Sequence, residues 1–195
     1  DDMGMFKFHT VAAHCVQLSD EDIDILAERG VYAATNPISN AKLGNGFARI
    51  PDMLDKGVKL CIGTDSAGSN NTLNMFSDMN FICLAHKGNC RSATAVSARQ
   101  ALKMATETGA KALGFDNTGI LKEGYAADLT VMDMKYPSLQ PVNDSVAAMC
   151  YSASGYEVES VMVDGEFLME NREIKGMDEE RIYFECNKAM KRIDG

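Results

Sequence analysis

Two residues in this sequence combine a reactive side chain with a position where such side chains do chemistry. His14 stands in TVAAHCVQL (10–18), a run otherwise dominated by small and apolar residues. A histidine that deep in an apolar run needs a hydrogen-bond partner or a ligand. It is either a satisfied core residue or a working group, since imidazole serves as metal ligand, acid and base. Strand alternation puts it on one face with Ala12 and Val16, opposite Ala13 and Cys15. Asp65 closes KLCIGTD (59–65) and precedes the loop SAGSNN. A carboxylate there can bind a metal and take a proton from the water that the metal activates. It can equally cap the loop or the next helix, and spacing alone leaves both readings open.

The elements that must position these residues follow a repeating order. TVAAHCVQL reads as a buried strand, and SDEDIDILAERG reads as a helix with Ser19 as N-cap, acids in its first turn and Gly30 past its end. VYAAT (31–35) is the next strand, stopped by Asn36-Pro37. A polar loop, NPISNAKLGNG, leads to a short helix over 50–56, and a third strand, VKLCIGTD, ends at Asp65. Strands alternating with helices imply parallel βαβ units. The strand ends at His14, Asn36 and Asp65 recur at about the length of one such unit, roughly 30 residues. In barrel enzymes the carboxyl ends of parallel strands hold the active site. Asn36, Ser39 and Asn40 read as turn formers, and Asn70 and Asn71 as caps for a helix from about 72 to 88. His9 and His86 read as surface or helix-dipole-satisfied groups.

One helix is expected over 97–113, its small residues suited to close packing. Past Gly119 the texture becomes β-rich: GYAADLTVMDM gives a turn and a strand. VESVMVDGEFLME gives a hairpin on the Asp164-Gly165 turn. An amphipathic helix is expected over 178–193, opened by acids and closed by Lys188, Lys191 and Arg192.

Composition narrows the function classes. A net charge of -9 argues against a nucleic-acid or anionic-membrane binder, which needs a basic face, and leaves a small neutral or cationic substrate open. No apolar run is long enough to span a bilayer, and the first residues lack a signal-peptide layout. Six cysteines occur without a C-x-x-C pair, the pattern of reduced intracellular thiols rather than a disulfide framework or thiolate zinc site; the expected compartment is the cytoplasm. The thirteen methionines show no stripe beyond core use and read as packing.

Taken in order, AAHCVQLSDEDIDILAERG, ATNPISNAKLGNG, VKLCIGTDSAGSNNTLNMF, ALKMATETGAKALGF and GILKEGYAADLTVMD resemble the methylthioadenosine/S-adenosylhomocysteine deaminases and related chlorohydrolases of the amidohydrolase superfamily. GTDSAGSNN after an apolar strand, with NPISN upstream, is the specific pair of motifs.

The resemblance implies an α/β fold, the C-terminal part of a (β/α)8 barrel with these strands as barrel strands six to eight. Residues 1–118 would be the barrel portion, 119–175 a share of a small composite β-sandwich and 176–195 a terminal helix. It implies a zinc-dependent hydrolase, or one using another divalent metal, that deaminates an adenosine-type nucleoside. Asp65 matches the aspartate that binds zinc and acts as general base. His14 matches a histidine that orients the attacking hydroxide or, in two-metal relatives, is itself a ligand. Ser69 matches a position near bound substrate.

The family also uses an H-x-H pair and an H-x-x-E motif. With His9, His14 and His86 as its histidines, this sequence contains neither. The chain by itself is therefore expected to be incomplete and inactive, needing a preceding half or self-association. Gln17, Ser66 and Ala41 depart from common family residues, the first two beside the expected site. The alternatives are a relative acting on another C–N or a C–Cl bond, and a non-catalytic remnant used for association.

Overall fold

Ser19 opens the first helix by a reciprocal capping box. Its hydroxyl accepts from the Asp22 backbone N–H, and the Asp22 carboxylate accepts from the Ser19 N–H in return. That satisfies donors the helix cannot pair itself, and the helix α1 runs over Asp20–Glu28. It buries Ile23 and Leu26, and Gly30, with φ +63°, turns the chain back into a strand. The computed structural model describes residues 3–193.

The chain forms two units. The first comprises residues up to Ala126 together with Asp133–Glu157, and the second comprises Ala127–Met132 with the chain from Val158 onward. In the first unit, β1 (Val11–Ala13), β2 (Tyr32–Thr35) and β3 (Lys59–Ile62) form a parallel sheet in that order. The crossovers carry α1 on one side and, between β2 and β3, α2 (Pro37–Lys42) and α3 (Ile50–Asp55). After β3 come α4 (Ala67–Asn70), α5 (Met75–Cys90), α6 (Ala98–Ala105) and α7 (Glu107–Ala112). Ile23, Ile50, Met53 and Ile82 are fully buried in one apolar cluster with Leu60 and Met104, so helices α1, α3, α5 and α6 share a core with β3. β3 buries three of its four residues, whereas β1 has one neighbour and leaves Val11 and Ala13 exposed.

The second unit is an antiparallel sheet of β4 (Leu129–Met132), β5 (Val158–Val163), β6 (Glu166–Glu170) and β7 (Glu173–Ile174). Asp164 and Gly165 both have positive φ, as the two-residue hairpin between β5 and β6 requires. Before β5 the chain makes α8 (Ser145–Tyr151), which packs on α5 and α6 in the first unit, and after β7 it ends in α9 (Glu179–Ile193). No helix among the described residues is long and apolar enough to cross a membrane.

Several local expectations change. The strand expected through His14 stops at Ala13: His14 and Cys15 take left-handed φ of 67° and 50°, turning the chain off the sheet edge. The alternation that paired His14 with Ala12 and Val16 therefore does not hold. Asn36-Pro37 ends β2 at Thr35 as expected, but it opens a helix rather than a loop. Pro37 occupies the first turn of α2, where its missing N–H costs nothing. SAGSNN contains the helical turn α4, with Ser66 as its cap. The helix expected over 97–113 breaks at Thr106, whose hydroxyl bonds back to the Leu102 carbonyl, and becomes α6 and α7. His86 lies inside α5 and is buried, not on the surface. His9 is exposed and touches the carbonyl of Ala112 at the end of α7 (2.8 Å).

Candidate functional site

The exit of β1 sets the first candidate. His14 keeps one rung of the sheet, its backbone N–H donating to the Ala34 carbonyl at 2.7 Å, and then turns left-handed. A non-glycine residue rarely holds this conformation, and it aims the ring differently from a strand residue. Two asparagines from α2 and its N-terminus meet ring nitrogen Nδ1: Asn40 Oδ1 at 2.8 Å and Asn36 Nδ2 at 3.2 Å. One nitrogen cannot both donate and accept. With the shorter contact, to the Asn40 oxygen, as the hydrogen bond, Nδ1 is the donor and Nε2 is the ring nitrogen left for a cation.

The second candidate follows β3. Gly63 continues the ladder, donating to the Thr35 carbonyl at 2.9 Å, and Asp65 then takes φ 63°. Both carboxylate oxygens are engaged: Ser39 Oγ donates to Oδ2 at 2.6 Å, and the Ser66 N–H donates to Oδ1 at 2.7 Å. The Ser39 hydroxyl, then the Ser66 N–H, hold the Asp65 carboxyl below the usual carboxylate range. Partial burial opposes them, and the His14 charge and the Ser69 hydroxyl assist. Asp65 is therefore an anion at neutral pH, fixed in orientation, with lone pairs left for a cation or a proton.

Ser69 joins the same group. It lies in α4, where Ser66 Oγ accepts from its N–H (3.2 Å) and donates to its hydroxyl (3.1 Å). Lys42 of α2 pins that turn by donating to the Gly68 carbonyl at 3.0 Å and to Asn71 Oδ1. His14, Asp65 and Ser69 thus gather beyond the carboxyl ends of the three parallel strands. The middle strand, β2, delivers α2, whose Ser39 holds Asp65 and whose Asn40 holds His14. By residue type Asn36, Ser39 and Asn40 are turn formers. Their signal was their place: polar residues at the exit of the strand between the other two.

As a metal centre the arrangement is partial. Among the described residues no three His, Cys, Asp or Glu side chains group to hold an ion. An ionised Asp65 and the Nε2 of His14 suit a divalent cation as two donors, where a catalytic zinc usually takes three from protein.

Comparison with known proteins places these features in context. Residues 1–168 match the Amidohydrolase family. The 5-methylthioadenosine/S-adenosylhomocysteine deaminase of Dictyoglomus thermophilum is 48% identical over 188 residues, which is 96% of this chain but 44% of that protein. Among solved structures, an adenosine deaminase from Xanthomonas campestris with bound zinc superposes with a TM-score of 0.92 at 34% identity, covering 94% of this chain and 42% of that one. Atrazine chlorohydrolase TrzN from Arthrobacter aurescens, complexed with zinc, gives 0.86 at 30% identity, with 91% and 40% covered. The chain spans less than half the length of each.

Proposed function

This chain belongs to the amidohydrolase family, and we propose from that premise that it carries the carboxy-terminal part of a metal-dependent hydrolase that deaminates an adenosine-type nucleoside. The substrate would be of the S-adenosylhomocysteine or methylthioadenosine class. The observation that carries the reading is the Asp65 carboxylate, ionised and held by Ser39 and Ser66 beside His14 at the ends of three parallel strands. In the proposal these strands are barrel strands six to eight and the antiparallel sheet is a share of the composite sandwich.

Asp65 would hold the cation and accept a proton from the attacking water, with His14 Nε2 orienting the attack and Ser69 lying against the substrate. A carboxyl held below its usual range is a weaker base, so a water that gives it a proton must be acidified. The cation, zinc in the two solved neighbours, would supply that acidity by drawing the pKa of its water towards neutrality. The remaining ligands would come from outside this segment.

The test is ammonia release by the full-length protein on adenosine-like nucleosides, guanine-like bases and chlorotriazines, before and after chelation and zinc return. We expect turnover of the adenosine-like set, lost on chelation and restored by zinc. Asp65→Asn should abolish it, and unchanged turnover in that variant would sink the mechanism. Chloride release from triazines alone would instead favour the chemistry of the chlorohydrolase neighbour.

A further inference from the structure

Asp78 takes no part in the chemistry above, yet its carboxylate is fully buried in the first turn of α5. Its two hydrogen bonds come from neutral donors: the Ile38 N–H at 3.3 Å to Oδ1 and Asn70 Nδ2 at 3.0 Å to Oδ2. Among the described residues no cation pairs with it; a buried carboxylate so placed is costly, and an apolar side chain would fill the same space more cheaply. What the carboxylate adds is the pair of segments it ties together. Ile38 directly precedes Ser39 in α2. The Asn70 amide also donates to the Thr64 carbonyl at 2.7 Å, directly before Asp65. One carboxylate therefore anchors the helix that presents Ser39 and the strand exit that presents Asp65, and those two side chains meet at 2.6 Å.

We propose that Asp78 is a positioning residue for the site, setting the Ser39–Asp65 contact through Ile38 on one side and through Asn70 and Thr64 on the other. The kinetic arm of the test rests on the deaminase reading.

Asp78→Asn is nearly isosteric, but an amide accepts on one side only, so either Ile38 or Asn70 faces a donor instead of an acceptor. In the full-length zinc enzyme, well below its unfolding temperature, we expect kcat to fall about 10- to 100-fold, as for a small misplacement of reacting groups, with KM within about twofold. Asn70→Ala leaves the Ile38 arm and removes the Asn70 bonds to Thr64 and Asp78, along with the one it accepts from Thr72; it should show the same kcat-specific loss and serves if Asp78→Asn folds poorly. In Ser39→Ala/Asp78→Asn the loss should match the larger single loss, because both act on one contact. Wild-type kcat in Asp78→Asn, or losses that multiply in the double variant, would overturn the proposal. Zinc affinity by chelator competition supplies a readout independent of turnover: Asp78→Asn should bind about tenfold more weakly, and equal affinity counts against the proposal. A wild-type protein that deaminates no adenosine-like nucleoside refutes the functional reading, and the zinc comparison alone then decides Asp78.

Discussion

Gly63→Ala tests how tightly the two halves of the site are packed. Gly63 lies between β3 and Asp65, and its backbone is not left-handed, so an added methyl acts through space alone. A Cβ there would stand 2.5 Å from Asn36 Oδ1, a separation real Cβ atoms essentially never show. Restoring ordinary contact requires a retreat of about 1 Å, the sort of adjustment that makes overpacking costly. Asn36 has little room to move: it is 6% exposed, and the far side of its amide lies against His14. Overpacking of this kind costs about 1–3 kcal/mol, which in a protein longer than this chain lowers Tm by about 1–2 °C per kcal/mol. The assay is thermal unfolding of the full-length protein with and without Asn36→Ala. That second change removes the obstructing oxygen and should recover most of the loss. Deamination should fall in Gly63→Ala as well, because Asn36 can yield only towards His14. An unchanged Tm in Gly63→Ala, or no recovery in the double variant, would refute the claim that Gly63 is small because Asn36 needs the space.

Two further outcomes follow from burial. Burial holds His86 below the ordinary histidine range, so as pH falls through about 6.5 the unfolded chain gains a proton that the folded chain refuses; stability then declines until the folded pKa is passed. His86→Phe, beside Phe47 at a centroid distance of 6.1 Å, should flatten the change in unfolding midpoint between pH 7.5 and 5.5, and an equally steep dependence in the variant would contradict this. The 195-residue chain expressed alone should self-associate or unfold readily, because among the described residues one edge of β1 is unpaired and Val11 is exposed. A compact, stable monomer in sedimentation would overturn that expectation.

What the sequence made legible was local. Ser19 and Asp22 are three residues apart and announce α1; Asp164-Gly165 announces its hairpin by conformation alone. The three apolar runs gave the parallel strands, since spacing near one β/α unit leaves few other arrangements. Short elements were harder to read. Asp144 caps α8 through the Val146 and Ala147 N–H groups, but a seven-residue helix is too brief for its periodicity to declare itself. α2 was hidden by its composition: Asn, Pro and Ser favour turns locally, and only tertiary packing makes that stretch helical.

The candidate site divides the same way. His14 and Asp65 are conspicuous in one dimension because a polar residue inside an apolar run, or at its end, stands out. Their holders are marked only by their place at the exit of the strand between the other two, not by their types. Asn40 reaches His14 across 26 residues, Ser39 reaches Asp65 across 26, and the Ile38 N–H reaches Asp78 across 40. Nothing in a neighbouring residue marks such a partner. The backbone explains why the holders are needed. Both His14 and Asp65 sit at left-handed φ, a conformation that side chains other than glycine hold only when their surroundings impose it. Asn36 and Asn40 supply that constraint for one and Ser39 with the Ser66 N–H for the other, all from segments that begin at the exits of β2 and β3. The two candidate residues can therefore be picked out of the sequence one at a time, whereas the contacts that hold them exist only where the middle strand brings α2 between them.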